Sequence, residues 1–189
     1  MYSLDLLHIS LADQSLYGFA NGRLQLRFAV STALNGAGER NGSGCTPRGL
    51  HQVRAKVGEG LPCAAVLRGR RYTGEIWSPD LHVQFPGRDW ILTRILWLSG
   101  CELGRNRLGD VDTFRRYIYI HGTPDTEPMG VPLSHGCIRM RNSDLIKLFD
   151  CVPPHCAVQI DEAACPQWAA QTLLSVSYTH LTLPTNREV

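Results

Sequence analysis

Alternation organises the start of this chain. Leu16-Tyr17-Gly18-Phe19 and Leu24-Gln25-Leu26-Arg27-Phe28-Ala29-Val30 carry apolar side chains at or near every second position, the period of a half-buried strand. Asn21-Gly22 lies between them, and both residues accept the positive φ of a type I′ turn, so the two runs are expected to pair as a hairpin. Further strands are expected at His51–Val57, Trp90–Trp97 and Tyr117–Ile120, with Ala157–Ile160 returning to the sheet after Pro153-Pro154. Asn35 to Gly49 contains Asn41-Gly42-Ser43-Gly44 and is too long and polar for a tight turn, which predicts a mobile loop near the substrate. One short helix is expected over Asn142–Phe149, with Asn142 or Ser143 as its N-cap and Asp144 in its first turn. The pattern is mainly β, without an internal repeat.

Composition narrows the picture to a compact protein. With 189 residues, 43% hydrophobic and 19% charged, the chain can bury one sizeable core. A formal net charge of +2 is too small to argue for nucleic acid, and the arginines at 68, 70, 71, 105, 107, 115 and 116 read as surface or anion-facing positions. No run approaches the ~20 apolar residues of a membrane span. Met1 to Gly18 includes Asp5, His8 and Asp13, unlike a signal peptide. Seven cysteines form an odd, unpatterned set that suits a reducing compartment. Both features favour the cytoplasm, although a periplasmic chain that had lost its leader would look the same. Cys151, His155 and Cys156 lack a fourth ligand and the usual spacing, so no metal is expected. Asp110, Asp112 and Asp125 read as solvated loop carboxylates.

The chemistry concentrates in Ser134-His135-Gly136-Cys137-Ile138-Arg139, with His121 upstream. A cysteine attacks a carbonyl as thiolate, and an ordinary thiol of pKa ~8.5 needs an imidazole or a positive environment to reach that state. His121 and His135 are the two candidates. Arg116-Tyr117-Ile118-Tyr119-Ile120 reads as a strand delivering His121 to its end. The stretch from Gly122 to Leu133, with Pro124, Pro128, Gly130 and Pro132, reads as a loop that returns Cys137 to that strand end. Gly136 allows close approach of a substrate, and the amides around Gly136 and Cys137 are placed to face a developing oxyanion.

Ile120-His121-Gly122-Thr123 and Ser134 to Met140 together resemble the L,D-transpeptidase catalytic domain, also called the YkuD domain. Ile9 to Tyr17 and Thr46-Pro47-Arg48-Gly49 are similar to further landmarks of that family, so the likeness covers about the first 160 residues. It implies a β-sandwich-like domain over residues 1–161 with a short helix after the cysteine, followed by a tail over 162–189. From about residue 175 that tail resembles translated sequencing-adapter read-through, and His180 is therefore set aside.

The resemblance also implies action on peptidoglycan stem peptides, at the bond between the L-centre of a diamino acid and a terminal D-alanine. Cys137 would carry the acyl group, and His121 would serve as general base and acid, oriented by the Gly122 carbonyl. Ser134, His135, Gly136 and Cys137 would shape or supply the oxyanion-stabilising groups. Arg139, where the family pattern has asparagine, would contact substrate. An amine acceptor gives a cross-link, whereas water gives carboxypeptidase activity, and members without signal peptides resemble cytosolic murein tetrapeptide L,D-carboxypeptidases. Stem peptides or soluble muropeptides are the implied partners, a carbapenem is the implied covalent inhibitor, and no cofactor is implied. A non-catalytic peptidoglycan-binding module is the third class, disfavoured by the intact Cys137 and His121.

Overall fold

The computed structural model describes residues 3–165, and strands dominate them. The element order is β1 (Leu6–Ser10), β2 (Ser15–Ala20), β3 (Arg23–Ala29), β4 (Gly49–Val57), β5 (Ala65–Arg68), β6 (Arg71–Ile76), α1 (Pro79–Gln84), β7 (Ile91–Gly100), β8 (Tyr119–Gly122), β9 (Ile138–Met140), α2 (Asn142–Cys151) and β10 (Ala157–Asp161). The fold is mainly β with a short helix just after Cys137, as the sequence leads one to expect. The β2–β3 hairpin forms at Asn21 and Gly22, whose φ values of 50° and 71° are those of a type I′ turn.

Among the described residues, hydrogen bonding joins ten strands in one sheet, whose main path runs β3-β2-β1-β10-β4-β7-β5-β6, with β8 and β9 branching from β7. β7 is the hub. Its residue Leu92 lies between Val66 of β5 and Gly122 of β8, and Ile95 lies between Val57 of β4 and His121 of β8. β4 and β5 therefore share one edge of β7, and β8 takes the other. The β7–β8 register shifts between Leu92 and Ile95, at Thr93, which holds a φ of 71°. Positive φ is costly for a β-branched residue, and here a bulge imposes it.

The largest core cluster includes Leu7, Ile9, Leu96, Leu98, Ile120, Ile138, Met140, Val158 and Ile160. α2 adds Leu145, Leu148 and Phe149 to that core and packs on β7 and β8. Its last carbonyls are satisfied by Lys56, whose Nζ donates to Phe149 O and Val152 O at 2.7 Å each and lies 4.2 Å from the Phe149 ring centroid. Among the described residues no helix is long and apolar enough to cross a membrane.

Several local expectations change. Arg116 and Tyr117 form a turn, with Tyr117 at φ 57°, so β8 starts at Tyr119 and carries His121 inside the strand. The N-cap of α2 is Arg141, without a side-chain cap, while Asp125 Oδ1 accepts from the Asn142 N–H at 3.2 Å. Asp112 is buried and accepts from the Leu108 and Arg115 amides, so neither it nor Asp125 is simply solvated. The β5–β6 hairpin and α1 had no counterpart in the sequence reading. β10 ends at Asp161, yet Ser10 Oγ still donates to Ala163 O and Asp13 still accepts from the Cys165 N–H. The adapter-like segment and His180 lie outside the described residues.

Candidate active site

β8 and β9 run parallel, with Ile120 opposite Ile138, His121 opposite Arg139 and Gly122 opposite Met140. Side chains alternate across a sheet, so Tyr119, His121, Cys137 and Arg139 share one face, while Ile120, Ile138 and Met140 enter the core on the other. Cys137 precedes β9 by one residue and is thus a diagonal neighbour of His121. The core-facing residues set the register, and the register brings the two chemical groups to one face.

His121 Nδ1 lies 2.8 Å from the carbonyl oxygen of Gly122. A carbonyl only accepts, so Nδ1 carries the proton and Nε2 is left with a lone pair. Burial holds the His121 pKa below the usual histidine range, against the upward pull of that hydrogen bond and of Asp89. The imidazole is therefore neutral and ready to accept a proton. Cys137 is half-buried as a residue and packs against the apolar cluster of Leu67, Ile95 and Tyr119, and burial pushes its thiol up to about 12. Sγ accepts from the Tyr119 N–H and donates to the Tyr117 carbonyl, both at 3.4 Å, rather than hydrogen-bonding to His121. The sequence suggests an activated thiolate; the structure holds a thiol beside a neutral base.

The loop before Cys137 is tied internally. Ser134 Oγ donates to Cys137 O at 2.5 Å and accepts from the Gly136 N–H at 3.2 Å. The Gly136 amide is thus committed to the loop and not presented to an oxyanion. Gly136 has a φ of 129°, and a Cβ there would lie 3.1 Å from Ile118 Cδ1 and 3.2 Å from Cys45 O. Thr46 Oγ1 donates to Gly136 O at 2.9 Å, so the Asn35–Gly49 segment braces the cysteine loop. That segment is itself pinned: Arg116 donates to Gly38 O, Glu39 O, Ser43 Oγ and Cys45 O. Arg116 is a half-buried brace, contrary to its reading as a surface charge.

Gly122 is equally constrained, since a Cβ there would collide with Asn142 Oδ1 and sit 2.6 Å from Leu92 O. Asn142 accepts from Thr93 Oγ1 at 2.5 Å and donates to Thr123 O at 2.9 Å, knotting the β7 bulge to the strand that carries His121. Against the same cluster that Cys137 packs on, Trp97 stacks on Phe114 at 3.8 Å, and Arg70 lies over Trp97 and Tyr117 while donating to Tyr119 OH at 3.1 Å.

Arg139 extends into a hollow of about 230 Å³ that His135, Glu127, Thr123 and Asp89 also line. Its Nη2 is 3.1 Å from Asp89 Oδ1, and its side chain is 12% exposed. His135 is exposed at this hollow, and Ser134 and His121 are buried. The structure thus gathers Cys137, His121, Gly122, Ser134, Gly136, His135 and Arg139 in one region. Sequence reasoning missed Asp89, Thr93 and Asn142, which are distant in the chain and carry no motif. Asn142 alone offered a signal, as a polar residue preceding an apolar helix face, and it pointed to the wrong role.

A branched β sheet with a thiol and an imidazole on adjoining parallel strands is the class that the fold and site define. The chain belongs to the L,D-transpeptidase catalytic domain family, YkuD, whose family model matches residues 5–160. Over 97 residues it is 48% identical to the probable L,D-transpeptidase YbiS of Escherichia coli (strain K12), covering 49% of this chain and 30% of that relative. The match therefore spans less than a third of the relative's length. Among solved structures, the chain is similar to an L,D-transpeptidase from Mycobacterium smegmatis, at 16% identity and TM-score 0.52, covering 82% of this chain and 58% of that one. It is also similar to Bd1075 of Bdellovibrio bacteriovorus, at 16% identity and TM-score 0.53, covering 89% and 52%. These two likenesses show the fold.

Proposed function

We propose that this chain is a cysteine acyl-transfer enzyme that opens the diamino acid to D-alanine bond of peptidoglycan tetrapeptide stems through a Cys137 acyl-enzyme. The observation that carries this reading is the His121 Nδ1 to Gly122 O hydrogen bond, which leaves Nε2 as a neutral base on the face shared with Cys137. As Sγ bonds to the substrate carbonyl carbon, its proton passes to His121 Nε2. The Cys137 amide and the exposed His135 are the groups available to the carbonyl oxygen as it gains charge. His121 returns the proton to the departing D-alanine nitrogen, and a thioester remains on Cys137. An incoming amine or water then loses a proton to Nε2 and displaces the thiol. Arg139, at the hollow that His135 also lines, contacts the bound peptide.

The test is mass spectrometry of purified protein with a defined tetrapeptide, with and without an amine acceptor. Release of D-alanine is expected, lost in Cys137→Ala while the variant stays folded by circular dichroism. Cross-linked product with the amine identifies a transpeptidase, and tripeptide alone identifies a murein tetrapeptide L,D-carboxypeptidase. A carbapenem should add one drug mass, mapped to Cys137. Wild-type turnover in Cys137→Ala, or an adduct confined to another cysteine, refutes the reading.

A further inference from the structure

Thr93 and Asn142 are buried polar residues, at 0% and 2% exposure, so neither side chain is open to a ligand. Their hydrogen bonds form a chain with one polarity. Thr93 Oγ1 accepts from the Ala64 N–H at 2.9 Å, which leaves its own proton for Asn142 Oδ1 at 2.5 Å. With Oδ1 so engaged, Asn142 Nδ2 donates to Thr123 O at 2.9 Å and to Asp125 Oδ1 at 3.2 Å. The Thr93 carbonyl is held in turn by Nη1 of the buried Arg94 at 2.8 Å. A β-branched residue at a φ of 71° persists only where its surroundings over-determine it, and such positions cluster at functional sites.

Resting on the acyl-transfer reading above, we propose that Thr93 and Asn142 are positioning residues, which act through the Gly122–Thr123 peptide to keep the His121 proton on Nδ1. The route is short. The Gly122 carbonyl that receives that proton belongs to the same peptide unit as the Thr123 N–H, which donates to Met140 O of β9 at 3.2 Å. In a trans peptide the two groups point opposite ways, so β9 directs the carbonyl away from itself. Asn142 supplies the remaining constraint: its Nδ2 holds the Thr123 carbonyl, and its Oδ1 packs against Gly122, where any Cβ would collide with it. The segment is gripped at both residues.

The consequence falls on the tautomer. If the grip loosens, the Gly122 carbonyl turns from Nδ1, and a buried imidazole that has lost its acceptor is free to carry its proton on Nε2. That form cannot accept the Cys137 proton, so the thiol stays unreacted. The loss would arise without any substitution at Cys137, His121 or a residue that meets substrate. Loosening α2 as a whole is a separable effect, because Lys56 secures the opposite end of that helix from Asn142.

The experiment reads the His121 tautomer by imidazole nitrogen NMR of histidine-labelled protein, with the signals assigned by their loss in His121→Gln, beside kcat and KM for D-alanine release. Wild type should show a protonated Nδ1 and an unprotonated Nε2. Thr93→Val keeps the shape and removes the hydroxyl, and Asn142→Ala removes the amide. In each, the Nε2-protonated form should appear, and kcat per folded molecule should fall by on the order of 10–100-fold with KM within about twofold of wild type. Thr93→Ser returns the hydroxyl and should restore both readouts. Lys56→Met should lower stability and leave the tautomer as in wild type. Wild-type His121 protonated on Nε2, an unchanged tautomer in folded Thr93→Val or Asn142→Ala, or Thr93→Ser as impaired as Thr93→Val overturns the assignment. Should Thr93→Val fail to fold, Asn142→Ala carries the comparison. If wild type releases no D-alanine, the acyl-transfer function falls, while the tautomer comparison still decides this assignment.

Discussion

The protonation state of Cys137 can be tested directly. Desolvation places the thiol at about 12, and His121 is held below the usual histidine range, so the resting pair is thiol and imidazole, not thiolate and imidazolium. At pH 7 a thiol of that pKa is ionised to about 1 part in 10⁵, against about 3 in 100 for a free cysteine near 8.5, a deficit of roughly 3,000-fold. A more basic thiolate is the better nucleophile, and a Brønsted slope of ~0.45 over ~3.5 units returns roughly 40-fold. The net expectation is that Cys137 reacts with iodoacetamide about 100-fold more slowly than free cysteine at pH 7. Between pH 6 and 10 its rate should rise about tenfold per unit without a plateau, as followed by peptide mass mapping. A plateau above pH 5 to 6, with Cys137 faster than free cysteine, would show a preformed ion pair and refute the reasoning. Turnover should behave differently. Its acid limb reports His121, whose base form persists as pH falls until its lowered pKa is reached, so kcat/KM should decline only below about pH 6.5.

Three further outcomes are expected. His51 is buried, with Nδ1 donating to Gly49 O and Nε2 accepting from Thr113 Oγ1, and burial lowers its pKa to about 4. Its stabilising contribution is present above the unfolded value of about 6.5 and is lost as pH falls toward 4, about 3 kcal/mol in all; urea melts at pH 7 and 4.5 should show this loss, and His51→Gln should abolish it. Gly136→Ala places a methyl against Ile118 and Cys45 O at a φ of 129°, so about 2 kcal/mol or more of stability should go, with carbapenem acylation slowed at least tenfold. A normal Tm and acylation rate in that variant would contradict the tight fit. Lys56→Met removes two hydrogen bonds to the end of α2 and should cost about 1–3 kcal/mol by chemical denaturation, with D-alanine release per folded molecule unchanged.

The elements legible in the sequence are those whose signal is local. Asn21-Gly22 encodes its own turn, and the Cys137 and His121 motifs advertise themselves by residue type and spacing. What was missed depends on partners remote in the chain. Asp89 gains meaning only when β7 places it near Arg139, 50 residues away. Asn142 looks like a helix cap and instead joins Thr93 to Thr123, because Asp125 reaches the helix terminus first. Arg116 sits in an alternating aromatic stretch, but the carbonyls it braces belong to a loop some 70 residues earlier. The direction of the Cys137 shift was missed for the same reason: an adjoining imidazole is visible in sequence, whereas the apolar wall of Leu67, Ile95 and Tyr119 exists only after folding.

The last strand among the described residues is not an edge strand. β10 lies between β1 and β4, pairing parallel with the first strand and antiparallel with the fourth. During synthesis β1 and β4 therefore have no strand between them until residues 157–161 clear the ribosome. Through that interval β1 and β4 each offer an unsatisfied edge to other nascent chains. A chain stalled just short of β10 would be adhesive. β10 works as a keystone, and chaperone capture should peak in the window before it emerges.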